Sequence, residues 1–333
     1  MEDRKAYLGL DIGGQSVKGF RLEADGRVSM RAAVATPASA GAEAVLAVVA
    51  AILAELSGDG AIATVGAGTP GGVDPSGKVA VDAANIAGWK GVDLRSALSK
   101  AVGAPSYVRN DGNLAAYAEW AARGFASRAL LFVGLGTGIG AGYVEDGRML
   151  GGIDDKALEM GHVIVYPEGR RCACGRAGCA EAYASGPSIG RIAVEMAGGF
   201  DTPLARAALS GSRINAREVY EALAKGDELA KAVHTIAAEA LSRVIGQALA
   251  FLAPDTVVLG GGVLAGATSL VADVAEAASR YVYPAASAGV RFEKALLGSE
   301  AGLLGAALYG ASTLLDREEL LELAGKAAER LRS

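Results

Sequence analysis

Hydrophobic residues at the start of the chain come in short runs separated by polar, glycine-rich punctuation. Residues 7–10 read as a buried strand that stops at Asp11 and runs into the turn Asp11-Ile12-Gly13-Gly14-Gln15-Ser16. A second strand follows over about 17–22, and Asp25-Gly26-Arg27 turns the chain into a third. The same phrase recurs: a strand over 129–133, the loop Gly134-Leu135-Gly136-Thr137-Gly138-Ile139-Gly140, and the hairpin tip Asp146-Gly147-Arg148. Repetition of strand, glycine loop, strand and Asp-Gly-Arg turn predicts a duplicated α/β domain.

Between and after these copies the period lengthens. Helical spacing predicts a helix at 42–56, then a strand at 62–66 and a loop rich in Gly and Pro. A strand over 106–108 ends at Asn110-Asp111, and a helix runs from about 112 to 123. Helices are expected at 216–225 and 227–252, and a strand at 256–259 leads into Gly260-Gly261-Gly262. In the tail, 316–332, Leu320, Leu321, Leu323, Ala324, Ala327, Ala328 and Leu331 recur at helical spacing. Two similar halves with glycine loops facing one interdomain cleft make a nucleotide-binding enzyme with a hinge.

Composition narrows the class. A chain of 333 residues, 51% hydrophobic and 21% charged, can bury two cores. Its net charge of −5 argues against nucleic acid as a partner. Apolar stretches such as 44–54 are too short to span a bilayer, and the longer run after Ile245 is broken by Pro254 and Asp255, so no membrane partner is expected. The charged opening Met1-Glu2-Asp3-Arg4-Lys5 is unlike a secretion signal, and free thiols suit a reducing compartment. The expectation is a soluble cytoplasmic protein.

All three cysteines fall within Cys172-Ala173-Cys174-Gly175-Arg176-Ala177-Gly178-Cys179, and His162, one of only two histidines, lies ten residues upstream. Three thiolates and an imidazole are a tetrahedral Zn²⁺ set; the alternatives are a cluster of free buried cysteines or a local disulfide, and a disulfide across Cys172 and Cys174 would close a strained ring. Glu159 and Glu181 bracket this cluster, and their carboxylates accept hydrogen bonds from sugar hydroxyls well. Asp11 stands beside a turn of exposed N–H groups that can hold phosphate oxygens, with Lys18 adding positive charge and the carboxylate orienting Mg²⁺. Gly136-Thr137-Gly138 repeats the turn, and Gly261-Gly262 lets backbone approach an adenine or ribose. No Gly-Lys-Ser or Gly-Lys-Thr follows, so this is no Walker A loop. Asp111 has two readings: a helix N-cap, the commoner job for Asp before a helix, or a base taking a proton from a substrate hydroxyl.

These residues together resemble the ROK family of repressors, open reading frames and sugar kinases. The likeness rests on Asp11-x-Gly-Gly-x-x-x-Lys18, Pro70-Gly71-x-x-Asp74, Asn85-x-x-Gly88-Trp89, Asn110-Asp111, Gly136-Thr137-Gly138-x-Gly140, Glu159-x-Gly161-His162 and Cys172-x-Cys174-Gly175-x-x-Gly178-Cys179-x-Glu181. It covers nearly the whole chain. The resemblance implies an α/β, duplicated actin-like, hexokinase-type ATPase fold with ribonuclease H-like halves. The small domain would be 1–112, completed by the helix 316–333, and the large domain 113–315 would carry the zinc. It further implies ATP-dependent phosphorylation of a hexose with Mg²⁺, in a homodimer or homotetramer.

By the same likeness Asp111 is the catalytic base, and Gly71, Asn85, Asn110, Glu159, His162 and Glu181 lie at the sugar. Asp11, Gly13, Gly14, Gln15, Lys18, Gly136, Thr137, Gly138, Gly261 and Gly262 serve the nucleotide, and His162, Cys172, Cys174 and Cys179 hold structural Zn²⁺. Two positions depart from the family pattern: Gln15 replaces a usual Thr, and Leu158 precedes Glu159 where Gly is usual. The family's repressors carry a winged helix-turn-helix ahead of this fold; a first strand at Tyr7 and an acidic charge speak against that class. A catalytically silent sugar sensor is the other alternative, with Gln15 as its support. Polyphosphate is the alternative donor, and mannose, fructose, allose and N-acetylated hexosamines are alternatives to glucose.

Overall fold

In the computed structural model, residues 5–58, 60–81 and 86–332 are described. The elements run β1 (Ala6–Ile12), β2 (Ser16–Glu23), β3 (Val28–Ala35), α1 (Ala42–Ser57), β4 (Ile62–Thr69), α2 (Leu94–Val102), β5 (Ser106–Asn110) and α3 (Asp111–Ala122). Then come β6 (Ala129–Leu135), β7 (Ile139–Glu145), β8 (Arg148–Met149), α4 (Glu181–Ala184), α5 (Gly186–Met196), α6 (Pro203–Leu209), α7 (Ala216–Leu223) and α8 (Glu228–Leu252). The chain ends with β9 (Thr256–Gly260), α9 (Leu270–Ala278), α10 (Pro284–Ser287), β10 (Arg291–Lys294), α11 (Ala301–Ala311) and α12 (Arg317–Arg332).

The first sheet has the order β3-β2-β1-β4-β5, antiparallel from β3 to β1 and parallel from β1 to β5. The second, taken from its β8 edge, runs β8-β7-β6-β9-β10 and so repeats that order strand for strand. The duplicated sequence phrase therefore marks a duplicated topology. Both Asp-Gly-Arg segments are hairpin tips, with different turns. Gly26 alone has positive φ in the first, whereas Asp146 (φ 48°) and Gly147 (φ 81°) both do in the second, the pattern of a two-residue type I′ turn.

Two compact units emerge: residues 1–130, 142–158 and 296–333, and residues 131–141 with 159–295. The first unit takes in α3 and α11 as well as the expected tail helix. Packing gives the reason. A Cβ on Gly9 would lie 2.4 Å from the Leu303 carbonyl oxygen, and one on Gly66 only 1.8 Å from that of Ala306. Side chains at those two strand positions would push α11 off the sheet, so glycine is what lets helix and sheet backbones meet. On α3, buried Glu119 pairs with Arg123 and accepts the N–H groups of Leu296 and Leu297 at 3.0 and 2.9 Å. A buried carboxylate is stable only when so fully partnered.

In the second unit α8 is a 25-residue helix, long and apolar enough by length and composition alone to cross a bilayer. It packs against α4, α5, α7 and α9, and it carries His234, Glu239 and Arg243, as a core helix does. It stops at Ala253 in the left-handed conformation (φ 45°), immediately before Pro254.

Candidate active site and metal centre

The first unit carries the Asp11 turn and the Asn110-Asp111 junction. Asp11 is the next-to-last residue of β1, opposite Lys18 of β2. Burial pushes its carboxyl above the usual range, and the positive charge of Lys18 draws it partly back. A Cβ on Gly302, in the first turn of α11, would sit 3.5 Å from the Asp11 carboxyl carbon, so this carboxylate lies at a helix N-terminus. The Gly13-Gly14-Gln15 turn closes on itself: the Gly13 N–H donates to Ser16 O at 3.0 Å, and the Thr36 hydroxyl donates to Gly13 O at 2.6 Å. Thr36 was not among the expected residues; it follows β3 and becomes a neighbour only through the sheet. Gln15 is exposed, and its carbonyl accepts the Thr36 N–H at 3.0 Å.

Capping at the next junction belongs to Asn110 and not to Asp111. Asn110 Oδ1 accepts from the N–H groups of Gly112 and Asn113 at 2.9 and 3.4 Å, and Asp111 is the first residue of α3. The expectation of Asp111 as N-cap is thereby corrected: an amide does that job, and the carboxylate stands one position further on. Asp111 Oδ1 also accepts the Gly112 N–H at 2.8 Å. Asn110 Nδ2 donates to Gly71 O at 3.2 Å, so the structure brings Gly71 and Asn110 together. Asn85 lies outside the described residues.

The second unit carries the cysteines, Glu159, Glu181 and the second and third glycine loops. Among the described residues, His162, Cys172, Cys174 and Cys179 are the group able to hold a metal, with their donor atoms all within 4.8 Å of one another. Cys174 Sγ and Cys179 Sγ are 3.6 Å apart, and Cys172 Sγ lies 3.7 Å from His162 Nδ1. Ligands on a tetrahedral Zn²⁺ with 2.3 Å bonds are about 3.8 Å apart, so these separations fit the ion. Burial, then the adjoining thiols, push the Cys179 thiol up to about 12. A dication is what makes several thiolates this close favourable.

The loop itself is a small hairpin. The Cys172 N–H donates to Arg176 O at 2.8 Å, and the N–H of Gly175 (φ 89°) donates to Cys172 O at 3.0 Å. Gly178 (φ 84°) cannot be replaced, because a Cβ there would lie 1.8 Å from Tyr166 O.

Glu181 opens α4 and joins two parts of this unit. Its Oε2 accepts the Ile139 N–H at 3.0 Å, and its Oε1 lies 3.8 Å from Cys172 Sγ. The second glycine loop is thus held by the carboxylate beside the cysteines. Gly136 and Thr137 line a cavity of about 1040 Å³, with Gly262 from the third loop, Pro187 and Val194 of α5, and Tyr220 of α7. Arg191 and Arg213 add positive charge to its wall. Neither arginine nor Tyr220 was expected, since no spacing marks them. Gly261 is used differently: a Cβ on it would meet Leu135 O at 2.3 Å, so it serves the approach of the third loop to β6.

Two sheets of one order, each with a glycine loop after its first strand, constitute the duplicated actin-like, hexokinase-type ATPase fold. The chain belongs to the ROK family, whose profile matches residues 7–311, and it is a sugar kinase of the ROK type. It is 32% identical over 315 residues to a glucokinase of Halalkalibacterium halodurans, covering 92% of this chain and 94% of that one. It is also 32% identical to an N-acetylmannosamine kinase of Citrobacter koseri, over 90% of this chain and 97% of the relative. Among solved structures, a ROK family glucokinase from Streptomyces griseus in complex with glucose and AMPPNP superposes with a TM-score of 0.77 at 29% identity, covering 92% of this chain and 99% of that one.

Proposed function

We propose that this protein transfers the γ-phosphoryl group of ATP to the 6-hydroxyl of a hexose, glucose first among them, with Asp111 as general base. The observation that carries the reading is the placement of Asp111. Asn110 takes over the capping of α3 and donates to Gly71 O, and the Asp111 carboxylate directly after it stands at the strand-to-helix junction. A base so placed accepts the hydroxyl proton as the sugar oxygen attacks in line. Asn110, Gly71, Asn85, Glu159, His162 and Glu181 are the proposed sugar contacts. Similarity to a glucokinase solved with glucose and AMPPNP supports both ligands, and similarity to an N-acetylmannosamine kinase keeps N-acetylated hexosamines in the assay.

The nucleotide's purine and ribose fit the cavity walled by Tyr220, Pro187 and Gly262, where Arg191 and Arg213 favour an anion. Its phosphates would meet backbone N–H groups of the two glycine loops, which offset the developing charge. Mg²⁺ bound with the phosphates supplies further charge neutralisation, and Asp11 is the hard oxygen ligand placed for it or its water. Zn²⁺ held by His162, Cys172, Cys174 and Cys179 would be structural. His162 Nδ1 is the nitrogen that lies near Cys172. The other ring nitrogen, and the Glu159 and Glu181 carboxylates that flank the cluster, are then set for sugar hydroxyls. Cytoplasmic location and a homodimeric or homotetrameric assembly belong to the same reading and rest on the family resemblance.

ADP release is to be measured across a panel of hexoses and hexosamines, with ATP and polyphosphate as donors. Turnover with ATP on glucose or a close relative is expected. Measurable sugar binding with no turnover on any of them would contradict the reading and favour a silent sensor. Elemental analysis should find one zinc per chain, and purified protein without zinc would overturn the ligand set.

A further inference from the structure

The loop 151–158, which runs on into Glu159, is fastened to the end of β5 by one buried carboxylate. Asp155 is 5% exposed; its Oδ1 accepts from Arg109 Nη2 at 2.7 Å and its Oδ2 from Arg109 Nε at 2.8 Å, a two-pronged pairing. The same Oδ2 accepts the backbone N–H of Asn110 at 3.0 Å. Arg109 is fixed in turn, with Nη1 donating to the Tyr309 hydroxyl at 3.3 Å and the guanidinium 5.6 Å from the centre of that ring.

The backbone of this loop is unusual. Asp154, Asp155 and Leu158 have φ values of 56°, 50° and 67°, in the left-handed region that glycine enters without strain. Non-glycine residues stay there only where surrounding contacts over-determine them. At 155 the chain thus keeps a carboxylate where the backbone would suit glycine, and that carboxylate spends all its hydrogen bonds on Arg109 and Asn110. Room is made for it: a Cβ on Gly151 would collide with Asp155 Oδ1 at 1.9 Å. Gly72, next to the Gly71 that holds Asn110, packs on the same loop, since a Cβ there would lie 2.4 Å from Asp154 O.

We propose that Asp155, acting with Arg109, is a positioning residue for phosphoryl transfer: it sets the Asn110–Asp111 junction from the loop that leads into Glu159. This rests on the reading of Asp111 as the base. Asn110 is then held from three sides, by its cap bonds to α3, by Gly71 and by Asp155. Loss of the third frees the backbone directly before the base, and misplacement of a base by about 1 Å costs roughly a hundredfold in rate.

The test compares Asp155→Gly and Asp111→Ala in steady-state kinetics, with melting temperatures measured alongside. Glycine suits φ at 155, so the variant removes the carboxylate without adding backbone strain. It should lower kcat by about ten- to a hundredfold, with the nucleotide KM near wild type, and the fall in kcat should persist well below a melting temperature that drops through loss of the buried pair. A kcat within twofold of wild type overturns the proposal, and so does a loss confined to the melting temperature. If Asp155→Gly does not fold, Arg109→Lys replaces it; this keeps the charge and loses the two-pronged contact. A clear fall in its kcat is expected, and an unchanged kcat overturns the proposal. Inactive Asp111→Ala beside unimpaired Asp155→Gly would end the positioning role and leave the base assignment standing. Active Asp111→Ala would overturn the base assignment, and this proposal with it.

Discussion

The first glycine loop, from Asp11 to Lys18, and the second, from Gly134 to Gly140, each follow the first strand of a five-stranded sheet of one order. They differ in what they hold. The first turns in on itself through Gly13, Ser16 and Thr36, and it brings its own carboxylate, Asp11, to the first turn of α11. The second has no charge of its own. It is held by Glu181, 42 residues further along the chain, and it opens on the large cavity. A duplicated backbone has thus been given divided labour: charge at one loop and space at the other. The repeated sequence phrase specifies the strand and turn geometry, while side chains that differ between the copies, Asp11 within the first and Glu181 from outside the second, distinguish the two turns.

That division can be broken at either end. Asp11→Ala should reduce kcat/KM by about 100- to 1000-fold, the usual worth of an electrostatic group at a transferring phosphate. Sugar binding measured by calorimetry should stay within about twofold. Sugar affinity falling in step with turnover would show that the first loop serves more than phosphate and metal.

Gly262→Phe should fill the space of the second region. A Cβ at Gly262 meets nothing within 4 Å, so the variant should fold, and the nucleotide KM should rise by about tenfold or more with the sugar KM unmoved. An unchanged nucleotide KM would remove ATP from that cavity.

The smallest effect expected lies at the start of α8, in the same unit as the cavity. Asp227 caps α8, accepting the N–H of Ala230 at 3.1 Å and that of Leu204, also at 3.1 Å. Burial alone would raise its carboxyl; the backbone N–H groups of Leu204 and Ala230 outweigh that and hold it below the usual range. The native state therefore binds fewer protons here than the unfolded chain. Its stabilisation is present above the ordinary aspartate pKa of about 3.9 and is lost as pH falls through the lowered value. Asp227→Ala should cost about 1–2 kcal/mol in urea denaturation at pH 7. The gap from wild type should shrink as the pH is taken below the usual carboxylate range, and a gap independent of pH would contradict the account.

Much of the fold was legible because its strands are short and apolar and their turns are spelled in Gly and Asp-Gly. The gathering of His162 with the three cysteines was legible because three cysteines in eight residues, with one of two histidines ten residues upstream, already suggest one cluster. Other features could not be found that way. Helix α11 is buried almost all round, so its apolar residues show no amphipathic period to mark it. Capping could be placed on Asp111 from sequence because Asn and Asp cap equally well; only the observed start of α3 assigned it to Asn110. Arg109 and Asp155 are 46 residues apart and belong to no motif. Arg191, Arg213 and Tyr220 come from separate segments that only tertiary packing gathers around one cavity.

The most direct test of the central claim is Asp111→Ala, with phosphoryl transfer and sugar binding measured on the same preparation. Loss of the base should lower kcat by several orders of magnitude, at least about 100- to 10,000-fold, while calorimetry still detects sugar at near wild-type affinity. Turnover at near the normal rate would contradict the account.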